Sequence, residues 1–201
     1  LGLPIFRFYD LDNALAVTAS GQDVIKNSAK LVNSQYQKTL GTDKDYCIYI
    51  DTDSLYFSSF PIITDDEFVL DNTIAIAQEK ERNLNVFYDT LAKKLFFVND
   101  THRFVIRGES IARRGFWVAK KRYALHKIYD LEKNMPADKL TIKGLDVVRS
   151  SFPKAFSKFM SDTLMSILKN AKKEEIDKAI LELVESLPKI PYVEVARNTS
   201  V

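Results

Sequence analysis

Residues 46–60 read Tyr-Cys-Ile-Tyr-Ile-Asp-Thr-Asp-Ser-Leu-Tyr-Phe-Ser-Ser-Phe, and this stretch gives the strongest indication of the fold. Residues 46–50 and 55–60 are short runs rich in aromatic and β-branched side chains, and they flank the polar turn Asp51-Thr52-Asp53-Ser54. Apolar runs on both sides of a short polar break are typical of a β-hairpin. The sequence therefore predicts a hairpin that presents two carboxylates at one end of a sheet.

The spacing of Asp51 and Asp53 indicates a metal site. Two carboxylates held close together repel each other, and a divalent cation that both of them ligate relieves this repulsion. A plain polar turn is the alternative, because aspartates also cap turns through hydrogen bonds to the backbone. The apolar strands on either side favour the metal site, since they would hold both carboxylates in place.

The remaining patterns predict an α+β fold with strands in the centre and helices towards the end. A helix is predicted over residues 11–40, capped by Asp10, interrupted near Gly21 and ended by Gly41. Residues 65–94 are predicted to form a second helix that buries Ile74, Ile76, Leu84, Val86, Phe87 and Leu91. Further strands are predicted at 104–107, 116–119, 123–129 and 140–148, with a polar turn at 131–139. Two helices, at 153–168 and 174–187, complete the prediction.

A basic run, Lys120-Lys121-Arg122-Tyr123, is the second candidate site. It could form a solvated edge strand, because lysines protect sheet edges from pairing. Its surroundings favour a surface that follows a phosphate backbone, because cations alternate with aromatic rings there. The neighbouring cations and aromatic residues are Arg103, Arg107, Arg113, Arg114, Lys127, Phe116 and Trp117.

In chain order these pieces resemble the family B DNA polymerases. Residues 49–54 resemble the third polymerase motif, Tyr-x-Asp-Thr-Asp-Ser, with Ile50 where many members carry glycine. Residues 116–123 are similar to the lysine–tyrosine motif, and the match is close to that of the T-even phage polymerases. Residues 143–153 are similar to the string that joins palm to thumb. Residues 1–11 are similar to the segment directly after the second polymerase motif.

The resemblance implies an antiparallel palm sheet with helices on one face, followed by a helical thumb. Residues 1–150 would be the C-terminal part of the palm, and residues 151–201 the start of the thumb. It also implies template-directed nucleotidyl transfer to a primer 3′ end, assisted by two Mg²⁺ ions. Asp53 would be a metal ligand and Asp51 would lie beside the primer terminus. Glu109 would tune the metal site, or would be an ordinary strand glutamate paired with a nearby arginine.

The same resemblance assigns DNA contacts and partners. Lys120, Lys121, Arg122 and Tyr123 would contact the primer strand, although Arg122 could instead face solvent. Arg149, in the string that joins palm to thumb, is also expected to contact DNA. The expected partners are primer–template DNA, deoxynucleoside triphosphates and the rest of a polymerase chain. A noncatalytic nucleic-acid-binding module is the alternative function. A nucleotide cyclase would leave the basic run unexplained.

Composition sets the outer limits. The formal net charge is +2 at pH 7, so any basic surface must be local. The single cysteine, Cys47, permits no internal disulfide and fits a reducing compartment, the host cytoplasm if the gene is from a phage. No apolar run is long enough to span a bilayer. The sequence begins at Leu1 and lacks the first two polymerase motifs, so we expect a fragment that is inactive alone and that self-associates through uncovered apolar surface.

Overall fold

The structure is a computed structural model that describes residues 2–64 and 68–197. The chain divides into two compact units, Leu1–Gly108 and Glu109–Val201. Helices accompany a two-stranded antiparallel sheet in the first unit and a three-stranded antiparallel sheet in the second. The predicted α+β class is therefore confirmed.

The first unit opens with helix α1, Leu11–Leu40. The Asp10 side chain accepts a hydrogen bond from the Asn13 N–H at 2.9 Å, and Gly41 ends the helix in the left-handed conformation at φ 62°. Both predicted caps are confirmed. The predicted interruption near Gly21 is wrong, because the helix runs unbroken for 30 residues. One internal glycine costs about 1 kcal/mol relative to alanine, which a long, packed helix absorbs.

Strands β1, Cys47–Asp51, and β2, Ser54–Phe57, form the predicted hairpin. Helix α2 comes next, at Leu70–Leu95. Its predicted start at residues 65–67 lies outside the described residues. Leu84 and Leu91 are buried as predicted, but Val86 is 69% exposed and Tyr88 is buried in its place. Leu84, Tyr88 and Leu91 follow the helical period, whereas Val86 falls between two buried positions.

The core of the first unit lies between the two helices and the hairpin. Val32 and Tyr36 of α1 and Leu84 of α2 form its centre, with Phe57 of β2 among the residues packed against it. Residues 104–107, predicted as a strand, have no strand pairing. The side-chain amide of Asn85 instead bonds both the N–H and the carbonyl oxygen of Ile106, at 3.0 and 2.9 Å. A side chain thus satisfies the backbone groups that a neighbouring strand would otherwise pair.

The second unit contains strands β3, Ser110–Ala119, β4, Arg122–Asp130, and β5, Met135–Lys143, in that spatial order. The predicted polar turn at 131–139 is wrong beyond residue 134, because β5 begins at Met135. Pro136 is accommodated in β5, which is an edge strand, the position in a sheet where proline is tolerated.

After β5 the chain becomes helical. The strand predicted at 140–148 ends at Lys143, and residues Asp146–Val148 form a 3₁₀ turn. Helices α3, Lys154–Leu168, and α4, Lys173–Ser186, match the two predicted helices. A 3₁₀ turn, Leu187–Lys189, and the short helix α5, Tyr192–Val195, complete the unit. Among the described residues, the helices are too short or too polar to traverse a bilayer.

Candidate active-site hairpin and nucleic-acid interface

Thr52 and Asp53 form the turn between β1 and β2, where Asp51 pairs with Ser54. Thr52 has a φ of 54°, a left-handed conformation that β-branched residues rarely adopt. Its hydroxyl donates a hydrogen bond to Asp51 Oδ1 at 3.2 Å, and the Ser54 hydroxyl donates to the Asp51 carbonyl oxygen at 3.1 Å. Neighbours within the motif therefore fix Asp51, while Asp53 stands exposed in the turn.

The donor chemistry of this turn fits Mg²⁺. This cation prefers oxygen ligands and usually takes one or two protein carboxylates together with waters and substrate phosphates. Within the described part of the chain, no group of three or more histidine, cysteine, aspartate or glutamate side chains is arranged to hold a metal ion. Asp51 and Asp53 thus suit a partial site that other oxygen donors complete.

Helix α1 contacts the base of the β1–β2 hairpin, here called the acidic hairpin. Asn33 Oδ1 accepts hydrogen bonds from the backbone N–H groups of Tyr46 and Cys47, both at 2.8 Å. The rings of Tyr36 and Tyr46 stack with their centroids 4.9 Å apart. The strand that ends at Asp51 is therefore tied to the helix at its first residues by both polar and aromatic contacts.

Burial beneath the hairpin raises the pKa of two nearby groups. It raises the pKa of the Cys47 thiol from 9.0 to about 11, and it also raises the pKa of the fully buried Tyr36 hydroxyl. Lys80, only 6% exposed, places its ammonium 5.0 Å from the centroid of the Tyr36 ring and donates a hydrogen bond to Gln35. A buried cation with an aromatic face and an amide oxygen as neighbours is a stabilising arrangement.

Glu109 is the first residue of the second unit. Its side chain is exposed, and its backbone carbonyl oxygen accepts a hydrogen bond from the Leu131 N–H at 2.9 Å. Its backbone therefore closes the end of the β3–β4 pair, and its role in a metal site stays a prediction.

Lys120 and Lys121 form the turn between β3 and β4, because Ala119 pairs with Arg122. Both lysines are exposed, and Lys121 has a φ of 61°. The predicted basic run is therefore the tip of a tight hairpin, which places its two lysines side by side at the end of a rigid ladder.

Tyr123, the last residue of the run, lies inside the sheet. It pairs with Trp117 on β3 and Lys143 on β5, and it is only 7% exposed. The rings of Trp117 and Tyr123 lie 6.1 Å apart, centroid to centroid. The tyrosine thus anchors the strand directly behind the turn, and little of its surface faces solvent.

The two arginines predicted to contact DNA share one carboxylate. Arg122 Nη2 lies 3.4 Å from Asp146 Oδ2, and Arg149 Nε lies 3.0 Å from Asp146 Oδ1. All three side chains are 45–65% exposed, so these ion pairs are weak individually. Their combined effect is to leave one net positive charge from the three groups beside the turn.

The wider basic set is distributed over both units. Arg103 and Arg107 are exposed in the first unit, whereas Arg113 and Arg114 are half-buried on β3. Lys127, on β4, is half-buried as well. Only the turn lysines and Arg122 therefore combine exposure with a position at the end of the β3–β4 ladder.

Three residues that make positioning contacts, Asn33, Asp138 and Asp146, had no individual sequence prediction. Asn33 carries no motif signal, since its partners come from a strand 13 and 14 residues later. His126 Nε2 lies 2.7 Å from Asp138 Oδ1, and Lys169 Nζ lies 2.8 Å from Asp138 Oδ2, which joins β4 and β5 to the end of α3. Hydrogen bonds from Lys169 and His126 lower the pKa of Asp138. Asp146 lies within residues 143–153, and the similarity of that segment to the string that joins palm to thumb was the available signal.

Sequence comparison identifies the family. A model of DNA polymerase family B matches residues 1–199. The DNA-directed DNA polymerase of Escherichia phage RB69 is 31% identical over 195 residues, which cover 84% of this chain and 20% of that protein. The DNA-directed DNA polymerase of Enterobacteria phage T4 is 33% identical over 185 residues, with the same two coverages of 84% and 20%.

An archaeal relative shows the same limited coverage. The DNA polymerase of Thermococcus gorgonarius is 26% identical over 183 residues, which cover 91% of this chain and 19% of that protein. The chain thus spans about a fifth of the length of each of these three relatives. Because the family match extends over nearly the whole sequence and the acidic and basic turns occur in it in the expected order, the chain belongs to DNA polymerase family B.

Proposed function

We propose that this chain forms part of a DNA-directed DNA polymerase that extends a primer 3′ end by template-directed nucleotidyl transfer. The observation that carries the proposal is the acidic turn Asp51-Thr52-Asp53-Ser54, held at the end of a strand pair within a family B match that covers residues 1–199. Its expected substrates are primer–template DNA and deoxynucleoside triphosphates, and its process is DNA replication.

In this proposal the carboxylates of the acidic turn act at the reacting phosphate. Asp53, exposed at the tip, binds metal, and Asp51, fixed by the hydroxyls of Thr52 and Ser54, lies beside the primer terminus. Glu109 is the third acidic residue that the family resemblance assigns to the metal site, with a tuning role. Two Mg²⁺ ions, when bound, supply charge stabilisation to the attacking and leaving oxygens. The strained φ of Thr52 supports this assignment, because strained backbone residues cluster at functional sites.

The basic turn binds the primer strand in the same proposal. Lys120 and Lys121 contact phosphates directly. Arg122 and Arg149, which both form ion pairs with Asp146, add positive charge beside them. Tyr123 meets the primer with the small part of its ring that is exposed, and it mainly keeps the turn in register. Contacts of this kind fix the position of the duplex and carry no sequence preference.

The proposed domain assignment rests on the family resemblance. Residues 1–150 are the C-terminal part of the palm, and residues 151–201 start the thumb. The family resemblance assigns a further essential aspartate to the first polymerase motif and a nucleotide-binding lysine to the second. Because neither motif occurs in these 201 residues, we expect the chain alone to be inactive. We expect the isolated chain to self-associate, because apolar side chains of residues 3–17 and of the hairpin region are exposed, among them Ile5 at 96% and Phe60 at 60%. The working location is the host cytoplasm if the gene is from a phage.

The test is primer extension by a full-length protein that carries this chain, with and without Mg²⁺. A polymerase extends the primed template only with the metal, and the double variant Asp51→Asn/Asp53→Asn binds the duplex normally but does not extend it. Duplex binding without any extension by the unaltered protein would favour the noncatalytic nucleic-acid-binding module. Extension by the 201-residue chain alone would contradict the assignment of essential groups to an upstream segment.

A further inference from the structure

The turn Lys120-Lys121 rests on the backbone that comes after β5. Lys143 is the last residue of β5 and pairs with Tyr123, so the next residue, Gly144, comes beside the turn. Gly144 has a φ of 65°. A Cβ at this position would overlap the carbonyl oxygen of Lys121 and would stand 3.1 Å from its carbonyl carbon. The contact is backbone to backbone, so no side-chain rotation could relieve it.

A second contact reinforces the first. Arg122 comes directly after Lys121, its Cγ would lie 3.3 Å from a Cβ on Gly144, and its guanidinium reaches Asp146 at 3.4 Å. Asp146 also bonds Arg149 at 3.0 Å, which ties this carboxylate to the chain that leads into α3. Two features therefore support the turn. Gly144 lets the two backbones come into contact, and the Asp146 carboxylate fixes Arg122, the cation that follows the turn.

We propose that Gly144 and Asp146 are positioning residues that seat the Lys120-Lys121 turn for contact with the primer phosphates. This inference rests on the proposed function of the turn in DNA binding. Lys121 is itself a non-glycine residue at positive φ, so its turn is strained and needs external support to keep one conformation. The carbonyl contact with Gly144 supplies that support at the strained residue.

The central test compares two glycines that have nearly the same positive φ. Gly144 and Gly41 have φ values of 65° and 62°, but a Cβ on Gly41 would meet no atom within 4 Å. Asparagine tolerates positive φ better than most residues, so Gly144→Asn and Gly41→Asn separate the collision from backbone strain. The variants are made in a full-length protein that carries this chain, and primer–template affinity is measured over a range of salt concentrations.

Gly144→Asn should bind the duplex about tenfold more weakly. The plot of log affinity against log salt should also become shallower by about one in slope, as for the loss of one phosphate contact. Gly41→Asn should retain both the affinity and the slope. Equal behaviour of the two variants would overturn the inference.

Lys121→Ala separates the inference from the proposed function. If Lys121→Ala leaves affinity and slope unchanged, the DNA-binding role of the turn is wrong, and Gly144 and Asp146 position nothing that binds DNA. If Lys121→Ala weakens binding while Gly144→Asn behaves like Gly41→Asn, only the inference fails. Because Gly144 acts through the turn, the double variant Gly144→Asn/Lys121→Ala should lose less affinity than the product of the two single losses. A full product would overturn the inference.

Asp146→Asn provides an independent test if Gly144→Asn does not fold. Removing a negative charge beside a DNA-binding turn should by itself raise affinity through long-range attraction. Loss of the ion pair between Arg122 and Asp146 should instead lower affinity, by about twofold for an exposed pair. A fall in affinity supports the positioning role of Asp146, and a rise or no change contradicts it.

Discussion

The acidic hairpin, β1–β2, and the basic hairpin, β3–β4, reverse direction in the same way but are supported differently. Each turns through two residues, and each turn contains a non-glycine residue at positive φ, Thr52 at 54° and Lys121 at 61°. The acidic hairpin is tied down at its base, where Asn33 bonds the first strand residues. The basic hairpin is supported at the turn itself, where Gly144 meets the Lys121 carbonyl.

Under the proposed function, this difference reflects the groups that each tip would have to meet. A metal site must leave room around its carboxylates for cations, triphosphate and primer terminus. At the acidic tip the small hydroxyls of Thr52 and Ser54 bond Asp51, and the contacts with α1 lie several residues away. A phosphate-binding turn presents its side chains outward and can be supported from behind without blocking them. The comparison therefore predicts that variants at the two tips will damage different steps of the reaction.

The largest effect is expected at the acidic tip. In a full-length protein that carries this chain, Asp53→Asn should lower the extension rate roughly 10³-fold, because it removes charge stabilisation at the reacting phosphate. Primer–template affinity should stay within about twofold of the unaltered protein, since the carboxylate makes no attractive contact with the duplex. Asp51→Asn should slow extension less.

Asp43→Asn is the matched control, because Asp43 is also exposed and precedes the same strand without belonging to the turn. Single-turnover extension and duplex titration separate the chemical step from binding. Near-normal extension by the Asp53 variant would exclude it as a metal ligand.

The next effect tests whether the base of the acidic hairpin stays closed in solution. Burial holds the pKa of Cys47 at about 11, so below pH 9 its thiolate fraction should be about 100-fold lower than that of an unhindered thiol with the ordinary pKa of 9.0. Alkylation should therefore be slow in the native protein, rise with pH through 11, and become fast in denaturant. Rapid native labelling at pH 8 would show that the hairpin base opens.

A smaller effect is expected at Asn33. Asn33→Ala leaves the part-buried backbone N–H groups of Tyr46 and Cys47, at the start of β1, without their acceptor, which should destabilise the first unit by about 2 kcal/mol. Asn33→Asp keeps an oxygen acceptor and should restore most of this stability. Urea unfolding measures the difference. Equal stability of the alanine and aspartate variants would show that the two hydrogen bonds to residue 33 contribute nothing to stability.

The smallest effect is expected at the basic tip. Lys121→Ala should lower primer–template affinity about tenfold and reduce the salt slope by about one, with the extension rate at saturating duplex little changed. Lys133→Ala is the control, because Lys133 is an exposed lysine between β4 and β5, at 72% side-chain exposure. Equal slopes for the two variants would assign Lys121 to a merely solvated sheet edge.

Local patterns predicted most of the elements because their causes are local. Asp10 caps α1 through a residue three positions away, and Gly41 ends it through its own backbone freedom. The wrong predictions fall where a distant residue intervenes. Asn85 satisfies the backbone of Ile106 in place of a strand, and β4 pairs with residues 135–143 despite the proline among them.

Short strings of residues were enough to specify the family, the two turns and the residue types at their tips, because the order of such strings along the chain is informative. The support of the turns, in contrast, is a property of the tertiary structure. Asn33 and Gly144 act on residues that are 13 to 23 positions away in the sequence, through contacts that no local periodicity encodes. The burial of Tyr123 beside the exposed Lys120 and Lys121 has the same origin, since the pairing of three strands determines which side chains of the basic run reach solvent.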